Sequence, residues 1–496
     1  MSLPTELLSV EEMYLADRLT IEGGVAGAML MEAAGEGIAA EIQRKYPSGR
    51  ALILCGPGNN GGDGYVVARL LQEAGWQVDL ASISDPELLK GDAALMRDQW
   101  NGPVLPLARA EIAEVDLVVD AIFGAGFSRY LESDITAFFA RIKRDQIPVV
   151  AVDMPSGVNG DTGAVDAGAI PAAMTVSFFR AKPGHFLYPG RAYCGELKIV
   201  DIGIDSDCLE EIDPETHLND PELWQDDLPS LGPEIQKYSR GHAAIVGGGT
   251  AATGAARLAA RASLRAGAGA ATVVSPPSAL QTYAAALEAV MVVSLADGEA
   301  FESWLRERRV GTVLVGPGNG VTERTREFTS LALESSANVI IDADGLTVFK
   351  DDPDTLFSLI GEKEYGEVVL TPHEAEFERI FSLAGSKLER VRMAASLSGA
   401  VVLLKGADTV IATPDGKAVI NYNAPPYLAT AGSGDVLAGL ITGFFSGGMS
   451  AFSAASAAAW VHGEAGEAIG PGLISEDIET AIPSILRKVL DSHKNA

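Results

Sequence analysis

The chain is poor in cysteine and in positive charge. Among its 496 residues three are cysteine, Cys55, Cys194 and Cys208, and none are paired as CxxC. That pattern excludes a disulfide framework and a structural zinc site from the first expectations, and makes a reducing, cytoplasmic compartment the default. Lys and Arg number 37 against 67 Asp and Glu, a formal net charge of −30. Nucleic-acid binding needs clustered cations against phosphate, so that class is set aside, and anionic membrane surfaces with it. The segment 1–18 has no basic region followed by an apolar core, so no signal peptide is expected. Long apolar runs are scarce as well. Residues 436–463 lack Asp, Glu, Lys and Arg, but they are rich in Gly, Ala and Ser and divided by Gly447 and Gly448. That composition predicts two buried helices rather than a membrane span.

What is present suits a globular protein. Hydrophobic residues make up 47% and charged ones 21%, with 54 Gly and 25 Pro, which excludes a disordered or fibrous chain. The length exceeds one ordinary core, so two or three domains are expected. Residues 5–45 read as helical, from apolar recurrence at three- and four-residue spacing. Strand-length apolar runs then alternate with helical stretches, at 51–55, 78–82, 115–120, 149–153, 175–179 and 197–202. Such runs predict a mostly parallel sheet covered on both faces. Between Asp205 and Gln236 lie eleven acids and no Lys or Arg, a composition shift that reads as a linker, with domains expected over 1–212 and 213–496. A second alternation starts at His242, with strand-like runs at 271–274, 291–294, 313–315, 339–341, 368–370 and 401–404. Residues 432–470 and 474–490 read as helical. The fold class is α/β in both halves.

In the first half, Gly56-Pro-Gly-Asn-Asn-Gly-Gly-Asp-Gly64 follows an apolar strand and is expected to open a helix near Tyr65. Glycines let the backbone approach a ligand, and a helix N-terminus offers free N–H groups to an anion. The Lys-Ser/Thr ending of a Walker loop is missing. Asn59, Asn60 and Asp63 supply more polar side chains than a turn requires. Two further strands end in a carboxylate, at Asp120 before Gly124-Ala-Gly126 and at Asp153 before Met-Pro-Ser156-Gly157. In an open parallel sheet these strand ends converge where ligands bind, and their oxygen-bearing side chains suit a hard cation. Helix capping is the bland alternative for Asp120, Asp153 and Ser156. His185 reads as a loop residue.

In the second half the strongest signal is Thr430-Ala-Gly-Ser-Gly434-Asp435-Val-Leu-Ala-Gly439. A glycine turn at a helix start makes a nest of N–H groups for an oxyanion. Asp435 sits where a carboxylate can deprotonate a hydroxyl attacking a phosphoryl group, and phosphoryl transfer needs little beyond such positioning. Lys405, at a strand end and followed by Gly406, can meet nucleotide phosphates. His373 follows another apolar strand, where a ligand contact is expected.

These runs resemble a known family. Gly58 to Gly64, Asp120 to Gly126 and Asp153 to Gly157 are similar to the epimerase domain of bifunctional NAD(P)H-hydrate repair enzymes. The second half, with Val246-Gly-Gly-Gly249, Thr253-Gly-Ala255, Val315-Gly-Pro-Gly318, Asp342-Ala-Asp-Gly345 and Thr371-Pro-His373, resembles their ADP-dependent dehydratase domain. The resemblance implies a Rossmann-like three-layer domain followed by a ribokinase-like one. It implies that Asn59, Asn60, Gly61, Gly62 and Asp63, then Gly124, Ala125, Gly126, Phe127, Ser128, Arg129 and Tyr130, contact the hydrated dinucleotide, with Asp153 catalytic. It implies a potassium ion (K+) on Asn60, Asp120 and Ser156. In the second half it assigns the hydrate to Ala255, Gly318, His373 and Asp435, with Asp435 as base. ADP, with Mg2+, falls to Lys405, Gly406, Ala407, Asp408, Thr409 and Gly434. The substrates implied are the hydrates of NADH and NADPH (NADHX and NADPHX), handled by a cytoplasmic homo-oligomer. Glu374-Ala375, Thr347 and Ala431 depart from the family's usual residues, which bears on substrate detail. Two rival readings stay open: a ribokinase-like kinase for a small alcohol or vitamin precursor fused to a nucleotide-binding domain, and a non-enzymatic nucleotide-binding module.

Overall fold

The structure is a computed structural model and describes residues 3–229 and 240–493. The chain divides into two compact units, Met1–His217 and Leu218–Ala496.

The first unit is built on a seven-stranded sheet. In spatial order its strands are Val104–Pro106, Gln77–Ser82, Arg50–Cys55, Leu117–Ala121, Val149–Val152, Met174–Phe178 and Glu196–Val200, all parallel. Alternate residues feed two cores. Ala51, Ile53, Val119, Val150 and Val152 join one cluster, and Leu52, Leu54, Val118, Val149 and Ala151 join the other. This is why these strands read as unbroken apolar runs. The expected helical stretch 5–45 is two helices, Val10–Glu22 and Gly27–Lys45, the first started by a Ser9/Glu12 capping box.

In the second unit, seven parallel strands run in the spatial order Met291–Ser294, Ala270–Ser275, His242–Val246, Thr312–Val315, Asn338–Ile341, Val368–Leu370 and Val401–Leu404. Two short antiparallel strands, Val410–Ala412 and Ala418–Ile420, extend it. The charge-free stretch forms the buried helices Ser433–Ser446 and Ala451–Ile469, and no helix among the described residues is long and apolar enough to cross a membrane.

The boundary between the two units falls inside the acidic segment, but the described part of that segment is not a bare linker. Its part from 230 to 236 lies outside the described residues. Before that, Trp224 is buried in the second unit's core and its indole N–H donates to Asn219 Oδ1 (3.2 Å). Asn219 Nδ2 in turn donates to Asn421 Oδ1 and the Ser456 carbonyl, both at 2.8 Å. The acids of the segment hid these anchoring residues, because composition averages over side chains that face water and side chains that face the core.

Small residues let the Ser433–Ser446 helix press on the Thr253–Arg265 helix. A Cβ at Gly439 would run into the Ala259 carbonyl oxygen, whereas one at Gly361 would meet nothing within 4 Å. Gly439→Ala is therefore expected to destabilise the second unit by about 1–3 kcal/mol, and Gly361→Ala to leave it unchanged or slightly firmer. Denaturant unfolding of the two variants checks the contrast.

Candidate active sites

The first sheet reverses its strand order between Arg50–Cys55 and Leu117–Ala121, so the loops leaving these strands diverge and open a crevice. The Gly56 N–H donates to the Ala121 carbonyl (3.0 Å), and a Cβ at Gly56 would strike the Ile122 carbonyl oxygen. The following helix starts at Asn59 rather than near Tyr65. Glycine propensity argues against that start, but close packing requires it. A Cβ at Gly61 would collide with the Gly56 carbonyl, and one at Gly62 with the Met31 side chain. These two glycines therefore serve backbone packing and do not line the crevice. Asn59, Asn60 and Asp63 do.

The crevice holds a cavity of about 600 Å³. Gly124, Ala125, Gly126, Phe127, Ser128 and Arg129 form one wall, the Val10–Glu22 helix contributes Tyr14 and Asp17, and Asp153 and Lys182 complete it. Tyr130 departs from expectation: it is 89% exposed and does not line the cavity, because the loop has turned outward by that residue.

Asp153 has a φ of +61°, a conformation that costs energy outside glycine and is held by its surroundings. Its Oδ1 accepts from Lys182 Nζ (2.8 Å) and Ser177 Oγ (2.8 Å), and its Oδ2 accepts from the Ala125 N–H (2.9 Å). Burial would raise its pKa, but the Lys182 ammonium and these donors outweigh burial and bring it down to about 2. His185 lies in the connection after Met174–Phe178, as expected, and is buried there. Its Nδ1 accepts the Lys182 N–H (2.9 Å) and its Nε2 lies 2.9 Å from the Asp153 carbonyl oxygen. Burial, then Lys182, lowers it to about 4, so it is a neutral brace on both partners. Burial raises Asp17 to about 6 and Asp63 well above the usual carboxylate range. Lys182, Tyr14 and Asp17 escaped the sequence reading; a Lys soon after a strand end, as at Lys405, was the available signal for the first.

Of the expected cation ligands, Asp120 and Ser156 are fully buried and joined. Ser156 Oγ donates to Asp120 Oδ1 (2.6 Å) and its N–H to Oδ2 (2.8 Å), while the Phe123 N–H donates to Ser156 Oγ (2.8 Å). Asn60 reaches the same turn: its Oδ1 lies 3.0 Å from where a Cβ on Gly124 would stand, and its buried Nδ2 has no partner among the described residues. Burial raises Asp120 to about 6 against the hydrogen bonds from Ser156 and Ile122.

In the second unit Gly432, at φ +89°, precedes the Ser433–Ser446 helix. The first N–H groups of a helix have no acceptor within it, so Gly434 and Asp435 present theirs outward. His462 Nε2 lies 3.1 Å from Ser433 Oγ behind this turn. Lys405 does not extend freely toward a ligand. Its Nζ donates to Asp342 Oδ1 (2.7 Å), sits 3.9 Å from Glu376 Oε2, and is 3.7 Å from where a Cβ on Gly434 would stand. Asp435, raised to about 6 by burial, then Asp342, with Lys405 opposing, belongs to the same cluster.

The remaining predicted residues divide. A Cβ on Gly318, at φ +68°, would stand 3.3 Å from Ala255 Cβ, so those two come together. His373 caps the Glu374–Ile380 helix, its Nδ1 accepting the Ala375 and Glu376 N–H groups, and its side chain is 51% exposed. After Lys405, the Gly406 N–H donates to Thr409 Oγ1 (3.1 Å), closing a turn through Ala407, and Asp408 pairs with Lys387 (2.6 Å). Asp342 was missed as a site residue, although it is an acid at a strand end like Asp120 and Asp153.

The Lys182–Asp153 pair yields a stability prediction. Asp153 titrates lower in the folded chain than the unfolded value near 3.9, so its contribution is complete above about pH 4 and is lost as pH falls toward 2. Lys182→Met strands the carboxylate and is expected to cost about 3–5 kcal/mol at pH 7. Adding Asp153→Asn should recover much of that loss. Urea unfolding of both variants tests this, and the single variant's deficit should shrink as pH falls and its carboxylate takes up a proton.

Residues 27–184 match a family model described as YjeF-related protein N-terminus, and residues 243–488 match one described as NAD(P)H-hydrate dehydratase. The bifunctional NAD(P)H-hydrate repair enzyme of Moorella thermoacetica is 34% identical, over 97% of both chains. That of Thermofilum pendens is 35% identical, over 98% of this chain and 97% of its own. A solved ADP/ATP-dependent NAD(P)H-hydrate dehydratase from Bacillus subtilis, co-crystallized with ATP/Mg2+, is 24% identical with a TM-score of 0.49, covering 55% of this chain and 98% of that one. By its two matched domains and its near full-length relatives, the chain belongs to the family of bifunctional NAD(P)H-hydrate repair enzymes.

Proposed function

We propose that the first unit interconverts the R and S hydrates of NADH and NADPH at C6, and that the second dehydrates the S form at the expense of ADP, giving AMP and phosphate. The observation that carries the reading is Asp435: a carboxylate raised toward neutrality by burial, at the mouth of an N–H nest and beside the buried Lys405–Asp342 pair.

In the second unit Asp435 takes the proton of the C6 hydroxyl as that oxygen attacks the terminal phosphoryl group of ADP. The N–H groups of Gly434 and Asp435 and the Lys405 ammonium face the charge that develops on the phosphoryl oxygens. AMP leaves, and the hydroxyl has become a phosphate ester. The ring nitrogen lone pair then expels phosphate, and loss of a C5 proton restores the dihydronicotinamide. The turn Lys405 to Thr409 holds the nucleotide, with Ala255, Gly318 and His373 on the hydrate side. Asp342, Glu376 and Asp435 gather around one ammonium; this acid excess fits Mg2+ accompanying the nucleotide, which screens its phosphates.

In the first unit Asn59, Asn60, Asp63 and Gly124 to Arg129 hold the dinucleotide. Asp153, ionised and bonded at both oxygens, stabilises positive charge on the ring as the C6 oxygen departs. Asn60, Asp120 and Ser156 would hold K+. A buried carboxylate raised by its own desolvation, with an amide oxygen beside the same turn, suits a hard monovalent cation, which supplies charge neutralisation there. The reading includes a cytoplasmic homo-oligomer.

Incubating mixed R and S hydrates with ADP and Mg2+ should restore the whole dihydronicotinamide absorbance with release of AMP and phosphate. Asp435→Asn should lower dehydration by about 100-fold or more while R and S still interconvert. As Asp435 must be ionised to act as base, wild-type dehydration should rise with pH through about 6 and level off above it. Asp153→Ala should leave the R form unrepaired beyond its spontaneous conversion. A phosphorylated product accumulating with ATP would instead favour a small-molecule kinase.

A further inference from the structure

The epimerase reading needs a proton: hydroxide is a poor leaving group, and the C6 oxygen must be protonated as it departs. Asp153 does not supply one, because a carboxylate at a pKa of about 2 with both oxygens bonded carries no proton near neutrality. Asp17 lines the same cavity. It lies on the face of the Val10–Glu22 helix that also presents Val10, Tyr14 and Ile21 to the cavity, at helical spacing. That face reaches the proposed substrate loop, since Tyr14 Oη is 3.0 Å from where a Cβ on Gly126 would stand. Among the described residues no hydrogen bond or ion pair engages the Asp17 carboxylate.

We propose that Asp17 is the proton donor of the first-unit site and protonates the C6 oxygen of the hydrated ring. The assignment rests on the epimerase reading. The C6–O bond breaks with its electron pair going to oxygen, the Asp17 proton joins that oxygen to give water, and the ring nitrogen lone pair forms the C=N bond of an iminium ion. Water returning to the opposite face of C6 gives the nitrogen its lone pair back. The proton that this water loses goes to the Asp17 carboxylate, so R and S interconvert with no net proton change. Asp153 holds the negative charge that the iminium faces.

The groups around Asp17 set its titration. Tyr14 is on its own helix, Asp63 comes from the Asn59–Glu73 helix, Asp153 and Lys182 come from the strand ends, and Asp92 is on the cavity wall. The short helices Ser206–Cys208 and Leu209–Ile212, packed on the same helix, bring Asp207, Cys208, Glu210 and Glu211. Burial raises the Asp17 carboxyl, Lys182 lowers it and Asp153 raises it again, to about 6. Burial, then the charges of Asp153 and Asp17, raise Asp63 well above the usual carboxylate range.

The test follows pure R hydrate turning into S by chromatography, with full-length chain, without ADP, and with the spontaneous rate subtracted. Wild-type kcat/KM should fall as pH rises through about 6, because the protonated form is active. Asp17→Asn should lower it by about 100-fold or more and abolish that pH dependence, while Asp17→Glu, which keeps an acid, should restore a falling limb. An Asp17→Asn protein near the wild-type rate, or a slow one that keeps the wild-type pH profile, overturns the assignment. So does an Asp17→Glu protein that is folded by its melting temperature but lacks the limb. If wild type does not interconvert R and S at all, it is the epimerase reading that fails.

Discussion

In each unit one buried ammonium–carboxylate pair closes the carboxyl edge of the sheet. Lys182 holds Asp153 in the first unit and Lys405 holds Asp342 in the second, at 2.8 and 2.7 Å. Neither charge could be buried there alone, since an unpaired one costs several kcal/mol. The loops that carry the partners are therefore fixed to each other. The first pair holds Asp153 in a strained backbone conformation, and the second sets the Lys405 ammonium beside Gly434. Each lysine, engaged with one carboxylate, leaves its neighbours undercompensated. Asp17 and Asp63 in the first unit and Asp435 in the second are all raised, with burial the largest cause. The same strand ends thus carry both a rigid frame and, in Asp17 and Asp435, carboxyl groups raised to about 6.

Much of the fold was legible because strands buried on both faces are continuous apolar runs. Met291–Ser294, Val368–Leu370 and Val401–Leu404 coincide with their runs. Val104–Pro106, Val410–Ala412 and Ala418–Ile420 were not legible. Val104–Pro106 is only partly buried and ends in proline, and Val410–Ala412 and Ala418–Ile420 pair directly as antiparallel neighbours with no helix between them to bound a run. Legibility in the sites followed the same line. Strand-end acids and glycine turns carry local signatures, so Asp120, Asp153 and Asp435 stood out in the sequence. Asp17 and Tyr14 sit on a helical face whose other members are apolar, and only the folded chain shows that this face borders a cavity. The Asn59 start of its helix was misplaced because glycine propensity is a local quantity, whereas the contacts of Gly61 and Gly62 are tertiary.

A chain with a net charge of −30 is an unexpected host for dinucleotides, which carry several negative charges. Locally the charge is met by cations, Arg129 and Lys182 in the first unit and Lys405 in the second, and by a fixed dipole. The helix starting at Ser433 directs N–H groups at the place where the nucleotide's phosphoryl group is proposed to lie, and such dipoles need no long-range steering. The acidic surroundings then have a use. In the proposed chemistry both units pass positive charge through the ring nitrogen, as an iminium ion when the C6 oxygen leaves. Once Asp17 has given up its proton, its carboxylate and that of Asp153 both border the cavity and favour that cation over the neutral hydrate. The Asp17 charge that would weaken binding of a polyanion therefore arises only as the iminium forms, and only such differential stabilisation speeds the step.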